Sequence, residues 1–380
     1  MRHYSWVLVL SLCAASALAG CQRDQETNSN EIVIGEYGSL TGTTATFGIS
    51  TRNGIDLAIE QVNAAGGVLG KQVRVIVEDD QGQPSEAQTA VTKLITSDQV
   101  VAILGEVASS NTLAAAPVAQ ANAIPMVTPS STNPGVTQVG DYIFRVCFID
   151  SFQGQVMAEF VTATLGLSRV AILRDIRNDY SVGLADVFAE RFAAMGGEIV
   201  ADLSYSQGDT DFSAQLTAIM PSMPEAIFVP GYYTEVGLIA RQARQLGLDV
   251  PLLGGDGWDS PRLAEIGGEA LNGSYFSNHY SADDPNPVIQ TFVTEYRARF
   301  NETPDGLAAL GYDAANILFD AMRRANSTEP AAIRDALAQT VDFEGVTGVI
   351  TIDENRNAVK PAVILRVSDG DYEYVETINP

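Results

Sequence analysis

From Glu31 onward, short apolar runs rich in β-branched residues alternate with segments of helical length, and this alternation restricts the fold more than any other feature of the chain. The runs 32–34, 73–77, 100–104, 170–173, 227–229 and 251–253 carry little charge, as do parallel strands covered on both faces. Between them, residues 234–246 place Val236, Ile239, Ala240, Ala243 and Leu246 on one stripe, with Arg241, Gln242, Arg244 and Gln245 off it, the pattern of a helix packed on a sheet. Strand and helix in repeated alternation predict an α/β fold. A length of 380 residues suggests two domains. Helices at 305–324 and 331–339, then strands at 348–352 and 362–367, are expected to close the chain.

A faint internal repeat is consistent with two similar lobes. Asn63-Ala64-Ala65-Gly66-Gly67 precedes the run 73–77, and Ala193-Ala194-Met195-Gly196-Gly197 precedes a second run at 199–203. Glycine after a helix supplies the left-handed cap that other residues adopt at a cost. Two ordinary helix stops would look the same.

The N-terminus has Arg2 and no acid, then an apolar run over 6–18, too short to span a bilayer at about 20 residues per helix. Residues 1–20 read as a secretory signal peptide. Leu18-Ala19-Gly20-Cys21 resembles the bacterial lipoprotein box, which implies lipidation of Cys21 and an extracytoplasmic, membrane-anchored protein. Residues 22–30 contain no apolar side chain and read, with Cys21, as a flexible tether over 21–30. Loss of the leader removes Cys13 and leaves Cys21 and Cys147, so lipidation of Cys21 would preclude an intramolecular disulfide. The net charge of −25 opposes polyanionic partners: neither nucleic acid nor an acidic membrane gripped by a basic face fits this chain.

Enzyme signatures are missing. Beyond the leader His279 is the single histidine, which excludes paired-histidine zinc patterns and reads as structural. No G-x-S-x-G elbow occurs; Asp179-Tyr180-Ser181-Val182-Gly183 lacks its first glycine. Gly66-Gly67-Val68-Leu69-Gly70-Lys71 is one residue short of a phosphate loop, and Gln72 follows where Ser or Thr is needed. No G-x-G-x-x-G follows the first strand. Binding without catalysis, cofactor or metal is the expectation.

Four segments follow strands on the side where α/β sheets bind ligands. Gly105-Glu106-Val107-Ala108-Ser109-Ser110-Asn111-Thr112 leads into a helical run and offers hydroxyls and free amides suited to a carboxylate; singly, Ser109 reads equally as an N-cap. Thr128-Pro129-Ser130-Ser131-Thr132-Asn133-Pro134 presents hydroxyls from a proline-fixed loop, or is a solvated turn. Pro230-Gly231-Tyr232-Tyr233 places two phenols at a strand end. Gly254-Gly255-Asp256-Gly257-Trp258 sets an acid among glycines, able to hold an ammonium or simply to make a turn.

In order and spacing these segments, with Ser39-Leu40-Thr41-Gly42, Phe47-Gly48, Asp179-Tyr180 and Gly311-Tyr312-Asp313-Ala314-Ala315, resemble the leucine/isoleucine/valine-binding proteins, type I periplasmic binding proteins of branched-chain amino-acid ABC transporters. The resemblance covers the chain beyond the leader. It implies two similar parallel-sheet α/β lobes of the Venus-flytrap kind, 31–150 with 280–343 and 151–279 with 344–380. Three crossings are expected near 150–153, 277–280 and 343–346. It further implies that Ser109 and Thr132 hold a ligand carboxylate, that the Ser130 carbonyl and Asp256 hold its ammonium, and that Phe47, Tyr180 and Tyr232 flank it. The implied partners are an amino acid, an ABC permease and, through Cys21, the membrane, with the protein itself a monomer. Asp256 stands where the branched-chain binders carry glutamate, Leu307 where they carry an aromatic residue, and Phe47 where they carry tyrosine, so side-chain preference does not transfer. A sensor or importer component of the same fold for amides or urea is the rival reading; such a solute has no use for Asp256.

Overall fold

The structure is a computed structural model that describes residues 30–380. The leader and Cys21 lie outside the described residues. Five parallel strands, β1 (Glu31–Gly38), β2 (Gln72–Asp79), β3 (Ile103–Leu104), β4 (Met126–Thr128) and β5 (Ile143–Arg145), lie in the order β2-β1-β3-β4-β5. A second sheet begins with β6 (Arg169–Asp175), β7 (Glu198–Tyr205), β8 (Ala226–Phe228), β9 (Leu252–Gly254) and β10 (Tyr275–Asn278), in the order β7-β6-β8-β9-β10. The two orders are the same. A small antiparallel sheet joins β11 (Phe343–Gly345), β12 (Gly348–Ile352) and β13 (Ala358–Val359). Then β14 (Ala362–Ser368) and β15 (Asp371–Ile378) extend the second sheet antiparallel beyond β10.

The repeated strand order gives the sequence repeat a structural meaning. Helix Ala45–Ala64 leads from β1 to the edge strand β2, and helix Asp179–Ala194 leads from β6 to the edge strand β7. After these helices Gly66 and Gly196 adopt φ of +100° and +90°, where a side chain would be strained. Every residue of β3, β4, β8 and β9 is buried, in keeping with apolar runs that lack alternation. Helix Tyr233–Gln245 buries Val236, Ile239, Ala240 and Ala243 of the predicted stripe, while Leu246 caps the helix half-buried.

Helix Gly306–Ala325 returns to the five-stranded lobe and lies against Ala45–Ala64 at glycine distance. A Cβ on Gly54 would stand 1.9 Å from the Ala308 carbonyl oxygen, and one on Gly311 would stand 2.4 Å from that of Thr51. From the same helix, Asp313 accepts the Val346 and Thr347 amides at 2.8 and 2.9 Å and the Thr347 hydroxyl at 2.6 Å. That anchor moves the third crossing. Val346 packs with Leu57, Tyr280 and Phe292, the Thr137 hydroxyl donates to Asn357 at 3.0 Å, and the Arg145 amide donates to the Arg356 carbonyl at 3.2 Å. Residues 343–359 therefore stay with the five-stranded lobe, and the chain enters the second sheet at β14 rather than near 343–346.

Candidate functional site

Six of the seven expected residues line one cavity between the lobes: Phe47, Ser109, Ser130, Tyr180, Tyr232 and Asp256, joined by Val107, Gly257 and Leu307. It is small: the ≈ 240 Å³ of space between its atoms includes the open mouth of the cleft. The seventh, Thr132, is not in the lining. It is buried, its Oγ1 has no hydrogen-bond partner, and its carbonyl accepts the Asp150 amide at 2.9 Å.

One pole is built by the ends of β3 and β4. Ser109 opens helix Ser109–Ala121 behind Ala108, and amides in a first helical turn have no intrahelical acceptor. The Ser109 hydroxyl accepts the Asn133 amide at 3.2 Å, tying this turn to the loop after β4. Two buried residues without an assigned sequence role hold both loops in place. Glu106 accepts the Ser39 hydroxyl at 2.8 Å and the Ala108 amide through its carboxyl, while its carbonyl accepts Thr128 at 2.5 Å and Ser131 at 2.9 Å. Burial, with Asp80 nearby, pushes the Glu106 carboxyl well above the usual carboxylate range. Arg145 donates to the Ser131 carbonyl and, at 2.9 Å, to that of Asn133.

The facing wall belongs to the second lobe. Tyr180 and Tyr232 stack with centroids 5.5 Å apart, and Phe47 from the first lobe meets Tyr232 edge-on at 5.3 Å. The glycines flanking Asp256 make room for this wall. A Cβ on Gly255 would stand 2.5 Å from both the Tyr180 hydroxyl and Gln153 Oε1; one on Gly257 would stand 2.9 Å from Tyr232. Asp256 is the single charged residue of the lining. Its amide donates to Gln153 Oε1 at 2.8 Å, its Oδ2 lies 3.0 Å from His279 Nε2, and its Oδ1 is buried without a partner. His279, read as structural from sequence, thus touches the site's acid.

Two equivalent lobes closing around a small polar-and-aromatic cleft match a known pattern over nearly the whole chain: the periplasmic binding protein family, across residues 31–371. The chain belongs to this family. It is 31% identical over 343 residues to Leu/Ile/Val-binding protein homolog 3 of Brucella melitensis, covering 90% of this chain and 92% of the relative. The crystal structure of a leucine-binding protein from Thermotoga maritima superposes with a TM-score of 0.89 at 43% identity, covering 92% of this chain and 99% of that one. The isoleucine complex of a branched-chain amino acid transporter substrate-binding protein from Streptococcus pneumoniae superposes at 0.88 with 37% identity, covering 92% and 100%.

As a periplasmic binding protein it is an extracytoplasmic, non-enzymatic binder, and its lobes are in contact here across both rims of the cleft. Ser110 Oγ donates to Asp179 at 2.7 Å and Asn133 Nδ2 donates to the Asp179 carbonyl at 2.9 Å. Elsewhere Thr46 and Ser260 hydroxyls meet at 2.9 Å, and Thr234 donates to the Thr43 carbonyl at 3.1 Å. The Gly306 amide donates to Asp259 at 2.6 Å. Among the described residues no group of three His, Cys, Asp or Glu side chains could hold a metal ion.

Proposed function

We propose that this binding protein captures a branched-chain or other aliphatic L-amino acid and delivers it to an ABC importer, held at the membrane by a lipid on Cys21. The observation that carries the ligand class is Asp256 Oδ1: a buried carboxylate oxygen without a partner, in a cavity with no other charge. It matches an α-ammonium, since an unpaired buried carboxylate is costly until a cation or donor reaches it. Ser109 and its helix-end amides suit the α-carboxylate, the Ser130 carbonyl offers the ammonium a second acceptor beside Asp256, and Phe47, Tyr180, Tyr232 and Leu307 enclose the side chain. The Thermotoga leucine binder and the Streptococcus isoleucine complex support this reading. Binding across both lobes favours the closed form that a permease recognises.

Calorimetric titration with L-leucine, L-isoleucine, L-valine, acetamide and urea tests it. Amino acids bind and the amide and urea do not, and Asp256→Asn weakens the bound amino acid by roughly 30-fold or more, as expected when one partner of a desolvated charge pair is lost. Acetamide or urea binding tightly, or Asp256→Asn binding leucine as well as the wild type, overturns the reading.

A further inference from the structure

We infer that His279 is a positioning residue that aims Asp256 at the ligand and thereby makes the site select for an α-ammonium; this deepens the amino-acid reading and rests on it. The geometry is a relay from the hinge. His279 follows β10 in the second crossing, and its ring stacks on Phe148, just ahead of the first crossing, with centroids 3.7 Å apart and planes 23° from parallel. The ring is buried, so stacking on one face and the contact with Asp256 at its edge leave it one orientation. Gln153, from helix Asp150–Glu159 at the first crossing, fixes the backbone of Asp256: its Oε1 accepts the Asp256 amide at 2.8 Å and the Ser277 hydroxyl at 2.9 Å. Asp256 is thus held by groups from both crossings, through its main chain and through Oδ2.

The chemistry of the contact determines what Oδ1 can do. Burial lowers the His279 pKa to about 4, the bond to Asp256 only partly opposing it and the Lys360 charge adding to it. The ring is neutral near pH 7. Nε2 faces the Asp256 carboxyl and Nδ1 has no partner, so the tautomer that satisfies the contact carries its hydrogen on Nε2 and leaves Nδ1 bare. A neutral donor orients the carboxylate without cancelling its charge, as an imidazolium would. The oxygen left free for a ligand is Oδ1, the one not spent on His279. A ligand with the same carboxylate and side chain but no ammonium leaves that oxygen desolvated and unpaired, which is how sites built around a hydrogen bond reject analogues lacking it.

The test compares L-leucine with 4-methylpentanoate, the same skeleton without its amino group, in calorimetric titrations of wild type, His279→Gln, His279→Asn and Asp256→Asn. Glutamine places its amide nitrogen near Nε2 and asparagine places it near Nδ1, so only the first keeps the donor to Asp256. His279→Gln retains leucine affinity within about threefold of wild type. His279→Asn loses tenfold or more for leucine while 4-methylpentanoate is unchanged, so the preference for the ammonium narrows. Equal loss of both ligands, or no loss of leucine, in His279→Asn overturns the role of His279 while leaving the amino-acid reading intact if Asp256→Asn still loses leucine. Failure of wild type to bind leucine, or indifference of Asp256→Asn, overturns the reading and this inference with it. Should the histidine variants not fold, nitrogen NMR of histidine-labelled wild type decides: an Nε2–H tautomer whose Nε2 shift moves on leucine addition supports the relay, and an Nδ1–H tautomer overturns it.

Discussion

Glu36 shows what a single buried carboxyl does to this protein. It lies on β1, is 3% exposed, and its Oε2 has no partner; burial first, then Asp56, push its pKa to about 8, with Arg52 pulling the other way. In the unfolded chain the same group ionises near its ordinary value of 4.5. Between these values the folded state holds the proton more tightly, so stability falls as pH rises from about 4.5 to about 8. Asp150, raised to about 8 mainly by burial, adds to the same slope, whereas His279, lowered to about 4, opposes it below its ordinary 6.5. Glu36→Gln keeps the shape and never ionises. It should raise stability at pH 7 by on the order of 1 to 3 kcal/mol and leave it nearly unchanged at pH 4.5, with a shallower pH slope in urea titrations; a gain that is the same at both pH values would show that ionisation is not the cause. Such residues were not legible beforehand, because a glutamate inside a strand looks the same in sequence whether it faces water or the core. Asp256 was legible only through the family resemblance, since an acid among glycines after an apolar strand reads equally as a turn.

At the level of elements, the contact between helices Ala45–Ala64 and Gly306–Ala325 makes a prediction whose sign is opposite to intrinsic propensity. Alanine in place of glycine within an exposed helix normally stabilises by about 1 kcal/mol. At Gly54 the added methyl would meet the Ala308 carbonyl at 1.9 Å, backbone that cannot step aside without moving its helix. Gly54→Ala should therefore lower stability by about 2 kcal/mol or more, read as a lower urea midpoint, and an unchanged midpoint would mean the helices part easily. Element legibility followed length and periodicity. The stripe on Tyr233–Gln245 and the apolar strands β8 and β9 could be read, but β5, three residues ending in the buried Arg145, has no period to detect. The edge strand β15 exposes much of its surface and reads as polar chain. The end of the third crossing was misplaced for a related reason: Asp313 holds residues 346 and 347 from 33 and 34 positions away, a pairing no local pattern encodes.

For the molecule as a whole, the contacts that span the cleft form only when the lobes meet. Ser110 and Asn133 on one side share Asp179 on the other, and Phe47 crosses to Tyr232. Small-angle scattering should show a smaller radius of gyration with saturating L-leucine than without; the same radius in both would mean that binding does not close the cleft. Cys21→Ser should release the protein from membranes in cell fractionation while leaving leucine affinity as it was, because residues 22–30 carry no apolar side chain to bury; retention on membranes would remove the lipid anchor from the reading. From sequence alone follow the α/β class, the absence of catalytic motifs and, through the order of weak strings and the family they resemble, the set of segments expected at the cleft, whereas the repeat needed the matching strand orders of the two sheets. The features legible in sequence are local patterns or their order along the chain. Only the tertiary structure decided that Thr132 stands behind the lining, that Glu106 and Arg145 brace the loops, and that His279 reaches Asp256. Those facts depend on distances between residues far apart in the chain, and burial, which sets their protonation, exists only once the lobes have formed.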